Sequence, residues 1–345
     1  MRIKQVFYMR NFKVILLMIV LISSISENSF SQERRKLAQT GLKFLSVPLD
    51  ARATGLGDAV TSLNMSASAM FYNPSTMAEM NNSAFISFGT TRWIADINYI
   101  FGSAALNLFD GDYGVFGISM VAVDYGEFQG TVFAPTDDGY IDVGTFEPKA
   151  YAFGIGYANQ LSEKFSIGGD VRYVKQSIGT AVTDITSEGQ FVSSDYKIDA
   201  VSFDFGILYK TGYKSLNFGM SVRNFSTEIK YEEESFQLPL TFRLGLSVDA
   251  LDFFEADNEM HSFLFSVDAS HPRDFAEQVF FGGEYTFMNI FSLRGGYSFP
   301  NDEQEFTAGL GLKKDFSNYL IGVDYSFTQF GIFKDVHRLT VNLGL

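Results

Sequence analysis

Along most of this chain, apolar and polar residues alternate one by one. In the C-terminal HRLTVNLGL, Leu339, Val341, Leu343 and Leu345 fall on one side of an extended chain, and Thr340, Asn342 and Gly344 on the other. The stretch NYLIGVDYSFTQF sets Tyr319, Ile321, Val323, Tyr325 and Phe327 against Gly322, Asp324, Ser326 and Thr328. LTFRLGLSVD sets Leu240, Phe242, Leu244, Leu246 and Val248 against Thr241, Arg243, Gly245, Ser247 and Asp249. Successive side chains of a strand point to opposite faces, so each segment predicts a strand with one greasy and one polar face. After residue 82 about fourteen such segments follow, of roughly the ten-residue length that a membrane-crossing strand needs. They centre on 83–93, 97–108, 112–125, 148–159, 164–178, 197–210, 214–228, 239–250, 261–270, 277–287, 290–299, 304–313, 318–328 and 336–345.

The connectors alternate as well. Tight ones at 110–112, 160–164, 210–214, 287–289 and 314–318 are interleaved with others that include the two longest, 126–147 and 179–196. Only 251–260 is longer than this rule predicts. Short turns at one end, long loops at the other and an even strand count predict an all-β fold, a transmembrane antiparallel β-barrel of about 14 strands. A soluble sandwich would turn its greasy faces inward and would leave the charges of the opposite face unexplained. In a barrel, Arg223, Arg243, Asp268, Glu284, Arg294, Lys313 and Asp324 line the lumen, where both signs stand on neighbouring strands and can pair. On the lipid side each Arg or Lys would cost about 2–4 kcal/mol at mid-membrane. Tyr157, Tyr173, Tyr209, Tyr297 and Tyr319, near strand ends, suit an interfacial girdle.

The third segment breaks the rule: Val115–Val123 is apolar or small on both faces, with Gly114, Gly117 and Gly126 within or beside it. Such a strand needs apolar cover on both sides, either from a plug or around a ligand passage through a glycine-kinked wall. Residues 32–82 lack the alternation and are the one sizeable piece available to fill the lumen. Within them Pro74 follows Asn73 and is placed to open a short helix. The Gly55-Leu56-Gly57 core does not make a dinucleotide loop, because position 60 is Val and KFLSVPLD, ahead of it, carries Pro48. The glycines are expected to permit tight turns and close packing.

At the N-terminus, basic MRIKQVFYMRNFK runs into the apolar VILLMIVLI and ends in small residues at Ser29 and Ser31. This is the pattern of a secretory signal peptide cleaved near Ser31. The expected organisation is signal peptide 1–31, plug 32–82 and barrel 83–345. The chain has 16% aromatic residues and 19% charged ones, the latter below the soluble norm of about 25%. It has no cysteine, which removes thiol catalysis and Cys-based metal sites. Without residues 1–31 the net charge is about −17, which disfavours nucleic acid.

Residues 41–77, GLKFLSVPLDARATGLGDAVTSLNMSASAMFYNPSTM, resemble the N-terminal signature of the PorV/PorQ group of outer-membrane proteins. The matching positions are Phe44-Leu45, Ala51-Arg52-Ala53, Gly55-Leu56-Gly57-Asp58-Ala59, Ser68-Ala69 and Asn73-Pro74-Ser75. That group is related to the FadL-type transporters, fourteen-stranded barrels plugged by an N-terminal hatch. The sequence departs from the pattern at Ser75, usually Ala in FadL-type proteins, and at the terminal Leu345, where many outer-membrane barrels end in Phe. The resemblance implies a plug built on Arg52, Gly55, Gly57, Asp58, Asn73, Pro74 and Ser75. It also implies a non-enzymatic role in type IX protein secretion, with a translocon and secreted cargo as partners. The alternative is a FadL-like channel for long-chain fatty acids or another hydrophobic small molecule, with Gly114, Gly117 and Gly126 marking a lateral opening. Either reading places the chain in the outer membrane, among its lipids, with both termini periplasmic and no cofactor. His261, His271 and His337 fall at strand ends in no catalytic motif. The acidic TDDGYID, Thr136 to Asp142, offers oxygen ligands for Ca²⁺ but lacks EF-hand spacing, and reads better as a solvated loop.

Overall fold

The computed structural model describes residues 40–345, save 187, 232, 233, 255–259, 302, 303, 305 and 318. The expected signal peptide and residues 32–39 of the expected plug therefore lie outside the described residues. Eighteen strands are found among those described. In the first half these are β1 (Ala84–Arg92), β2 (Asn98–Asn107), β3 (Val115–Asp124), β4 (Phe128–Phe133), β5 (Tyr140–Phe146), β6 (Lys149–Ser162), β7 (Phe165–Ile185), β8 (Phe191–Lys210) and β9 (Asn217–Phe225). There follow β10 (Ile229–Tyr231), β11 (Glu234–Phe236), β12 (Thr241–Asp249), β13 (His261–Pro272), β14 (Gln278–Phe287), β15 (Phe291–Phe299), β16 (Phe306–Phe316), β17 (Tyr319–Thr328) and β18 (Val336–Gly344). Fourteen of them close an antiparallel barrel, leaving β4–β5 and β10–β11 as separate hairpins. The seam pairs β1 with β18, from Phe85↔Gly344 to Arg92↔His337. Closure leaves the membrane-spanning sheet no edge, which hydrocarbon would not solvate.

The fourteen barrel strands lie where the alternation puts them. On β17, Ile321, Val323 and Tyr325 are exposed outward, while Asp324, Ser326 and Thr328 are buried inward. Tyr157, Tyr173, Tyr209 and Tyr319 are exposed on the outer face. Two long connectors differ from expectation. Residues 126–147 contain the hairpin β4–β5, so the acidic stretch from Thr136 is its tip and second strand and not an open loop. Residues 179–196 are mostly continuations of β7 and β8, joined at 186–190. At about 3.3 Å per residue, 21 residues of β7 span about 70 Å, far beyond an apolar band of about 25 Å. The polar upper halves are stabilised by pairing with each other, as Thr180↔Asp195 and Val182↔Ser193 do, and need no lipid-facing row.

The plug runs through the lumen as single turns of helix: Lys43–Ser46, Ala51–Gly55, Ser66–Phe71 and Pro74–Glu79. Pro74 stands at the first position of the last turn, and the Asn73 side chain accepts from Ser75 N at 3.2 Å. Thr40 pairs with Gln237 and donates to Asp274 at 2.7 Å, both at the end with the long loops. The segment then descends to β1, which starts at the end with the tight turns, beside Leu345. Thr40 and Leu345 thus lie at opposite ends of the barrel.

Glycines set how close plug and wall approach. Gly57 has φ +62°, and a Cβ on it would stand 2.9 Å from Phe281 O and Tyr297 N. Facing it on β15, a Cβ on Gly296 would run into the backbone nitrogen of Gly57. Gly295, its neighbour, points outward, and a Cβ there would meet nothing within 4 Å. Gly296→Val is expected to destabilise the barrel by about 1–3 kcal/mol or to prevent plug seating, through overpacking. Gly295→Val leaves it unchanged. The temperature at which the folded form is lost on a heat-modifiability gel distinguishes the two.

Candidate functional site

The centre of the molecule is the surface between plug and wall, where ionisable side chains are shielded from water. Asp50 caps the turn Ala51–Gly55, accepting from Arg52 N at 2.8 Å and Ala53 N at 3.1 Å, and takes Ser68 Oγ at 2.8 Å. Burial, with Asp324 nearby, pushes its carboxyl above the usual range, partly offset by those hydrogen bonds. The Tyr72 hydroxyl accepts the backbone N–H of Asp50 at 3.0 Å and of Leu49 at 3.3 Å, and burial raises its pKa.

From this cap a chain of charges crosses the wall. Arg52 holds Glu284 with two N–H groups, at 2.8 and 3.0 Å. Glu284 is shared with Arg294 on the neighbouring strand, and Arg294 donates to Asp324 at 2.6 Å. Asn342 continues to Asp324 at 2.9 Å, and Ser87 to Asn342 at 2.7 Å, so the series spans the β1–β18 seam. Asp58 receives Arg243 at 2.7 Å. Asp268 accepts Thr61 N at 2.9 Å and Thr61 Oγ1 at 2.6 Å. Asn73 donates to Thr61 O at 2.7 Å and to Ile207 O at 3.1 Å, its carbonyl side lying over Gly206. Arg223 stacks over the Tyr72 ring at 5.6 Å.

Of the residues expected to pair across the lumen wall, Glu284, Arg294 and Asp324 pair with one another. Arg223, Arg243 and Asp268 instead meet the plug. Lys313 is exposed, lines the turn-end cavity and stands outside this network. Gly55 packs beside Gly309, and Pro74 and Ser75 lie against Gly168.

Asp170, Arg172, Asp204 and Arg338 were not singled out from the sequence. Arg172 reaches Asp204 at 2.6 Å, Asp170 at 3.4 Å and Met70 O at 3.3 Å. Arg338 donates to Pro48 O and Thr328 Oγ1, each at 2.9 Å. Their inward position in GGDVRY, SFDFG and HRLT was the available signal.

The glycine-kinked wall is not observed. β3 pairs without interruption with β2, Val115↔Asn107 to Asp124↔Asn98, and with β6, Val115↔Ala158 to Asp124↔Lys149. Its inner face is apolar because the plug covers it: a Cβ on Gly117 would meet the sulfurs of Met70 and Met77. Gly114 and Gly126 flank the strand with φ +73° and +78°.

At the turn end a polar cavity of about 500 Å³ opens, lined by Arg52, Asn82, Ser292, Lys313 and Asp315 among others. Beyond Asp50 and Tyr72 lies a void of about 20 Å³, against Phe44, Leu49, Phe71, Arg172 and Arg223. Asp137 and Asp138 sit at the β4–β5 tip with Asp142 on β5, and no metal-holding group of three acidic or histidine residues occurs among the described residues. His261 and His337 bond Tyr285 and Tyr325, each at 2.7 Å, and His271 bonds Glu277.

Arg294→Ala strips Glu284 and Asp324 of a buried partner and is expected to cost about 3–5 kcal/mol. Lys149→Ala, which removes an exposed pairing with Glu147, leaves stability unchanged. Denaturant unfolding of the detergent-solubilised barrel measures both.

Solved structures share this architecture at low identity. The toluene transporter TbuX of Ralstonia pickettii matches with TM-score 0.58 and 12% identity over 86% of this chain and 97% of that one. The Pseudomonas putida toluene transporter TodX gives 0.54 and 14%, over 84% and 96%. A Pseudomonas aeruginosa FadL homologue gives 0.54 and 11%, over 86% and 98%. These likenesses establish the fold. No curated protein matches in sequence. The family model described as type IX secretion system protein PorV matches residues 30–265, which include the plug and the wall up to β13. The chain therefore belongs to the PorV family and is an outer-membrane barrel of type IX secretion.

Proposed function

We propose that this barrel is a non-enzymatic, partner-binding component of type IX secretion, which receives secreted cargo at the outer membrane. The observation that carries the reading is the sealed lumen beneath a built-up loop face. The plug is tied to the wall by a buried ion pair from Asp58 to Arg243 and a partly exposed one from Arg52 to Glu284, so the barrel works through its surfaces. In this reading residues 1–31 direct export, the tight turns face the periplasm, and β4–β5 and the upper β7–β8 stand outside the cell. Uptake of a hydrophobic compound fits less well, because β3 has no break and the larger cavity is polar.

Two measurements test this. Loss of the protein is expected to leave type IX substrates unsecreted, and gentle native purification to recover it with the translocon and cargo. Its recovery alone, while these purify without it, sinks the proposal. Because the chain has no cysteine, sidedness can be read from single substitutions. Thr136→Cys should react with an impermeant maleimide on intact cells, and Glu163→Cys only after permeabilisation.

A further inference from the structure

On the loop face, β8 carries a strand edge that the barrel does not use. β8 pairs with β7 along its whole length, down to Ile185↔Phe191. On the other side its outermost pair with β9 is Phe203↔Phe225. Among the described residues, 191–202 therefore have one ladder only, and every second residue turns its N–H and C=O away from β7.

The point where pairing stops is built. Asn224 has φ +58° and turns β9 away, its N–H donating to Asp204 Oδ1 at 2.7 Å and its side chain to Pro239 O at 3.2 Å. Asp204 is fully buried and held by Arg172, which also reaches the plug at Met70 O. The beginning of the open edge is thus set by the same contacts that seat the plug. The edge carries no proline, and the charges of this stretch sit on its outer row. Beside the edge the Tyr196 ring packs against Tyr231 of β10 at 6.5 Å, but the backbone of 191–202 has no second strand among the described residues, and long edges of this kind recruit one.

We infer that residues 191–202 are a docking edge for an extended segment of a secreted protein, which adds to β8 as a strand. The inference rests on the cargo-receiving function proposed above and names its site. The occupant's chemistry follows from the two rows of β8. Val192, Ser194, Tyr196, Ile198 and Ala200 continue the inward face, and Ser193, Asp195, Lys197 and Asp199 the outward face. The segment that fits alternates apolar and polar residues, with basic side chains opposite Asp195 and Asp199.

Amide hydrogen exchange on the full-length protein in detergent, with and without a purified type IX substrate of the same organism, tests the inference. Amides of 191–202 facing away from β7 are expected to exchange fast in the free protein and at least about tenfold more slowly with substrate present. Ile198→Lys, which puts an inward-pointing charge on the edge, should weaken binding by about tenfold or more while the heat-modifiability of the barrel stays normal. Slow exchange of these amides in the free protein shows that the chain covers its own edge, and overturns the inference. Substrate binding without protection at 191–202, or with full affinity in Ile198→Lys, overturns it and leaves the cargo reading standing. Absence of any binding overturns both.

Discussion

A charged side chain that faces into a membrane barrel and is shut off from water must find its partner there, and this requirement organises the molecule. The wall presents Arg172, Arg243, Arg294 and Arg338 inward, each buried. Their partners are wall acids, Asp204 and Asp324 among them, and plug groups: the Asp58 carboxylate and the carbonyls of Met70 and Pro48. Plug and wall are electrostatically incomplete without each other. Removing one partner of a buried pair costs more than the pair itself contributes, so the plug is held by the penalty of leaving.

Close backbone approach is the second constraint, and it depends on the first. Ion pairs and hydrogen bonds between plug and wall form only because the wall lacks side chains at the crossing points. Gly296, Gly206 and Gly219 provide those points under Gly57, Asn73 and Thr61. The glycine pair of the plug, which has the look of a phosphate loop, serves the same need from the other side. The Gly57 N–H donates to Thr307 Oγ1 at 3.1 Å and the Gly55 carbonyl accepts from the same hydroxyl at 3.4 Å, with strand backbone packed close against Gly57.

With the lumen filled, recognition moves to the rims. The turn end offers a polar cup that reaches Asp50. The loop end rises on one side as β4–β5 and the upper β7–β8, whose edge the barrel leaves open. The resemblance to hydrophobic transporters is one of architecture. In this chain the uninterrupted β3 and the Met70 and Met77 contacts fill the region where the alternative reading put a lateral passage.

The alternation of residues such as Ile321, Val323 and Tyr325 with Asp324 and Ser326 was enough to place the fourteen barrel strands, because lipid on one face and a polar interior on the other impose a period of two on every span. The inward charges of β12 to β15 and β17 were legible for the same reason, and the Asn73-Pro74 turn because its capping is local. Outside the membrane that demand lapses, so β4–β5 and the extensions of β7 and β8 read as loops. Partner identity was also beyond reach. That Arg243 and Asp268 direct their hydrogen bonds to the plug, that Lys313 is left out, and that Arg172 links plug, wall and rim depend on which residues closure of the barrel brings face to face. Local sequence determined which side of the wall each residue lines, and only the closed barrel with its plug inside decided what each one meets there.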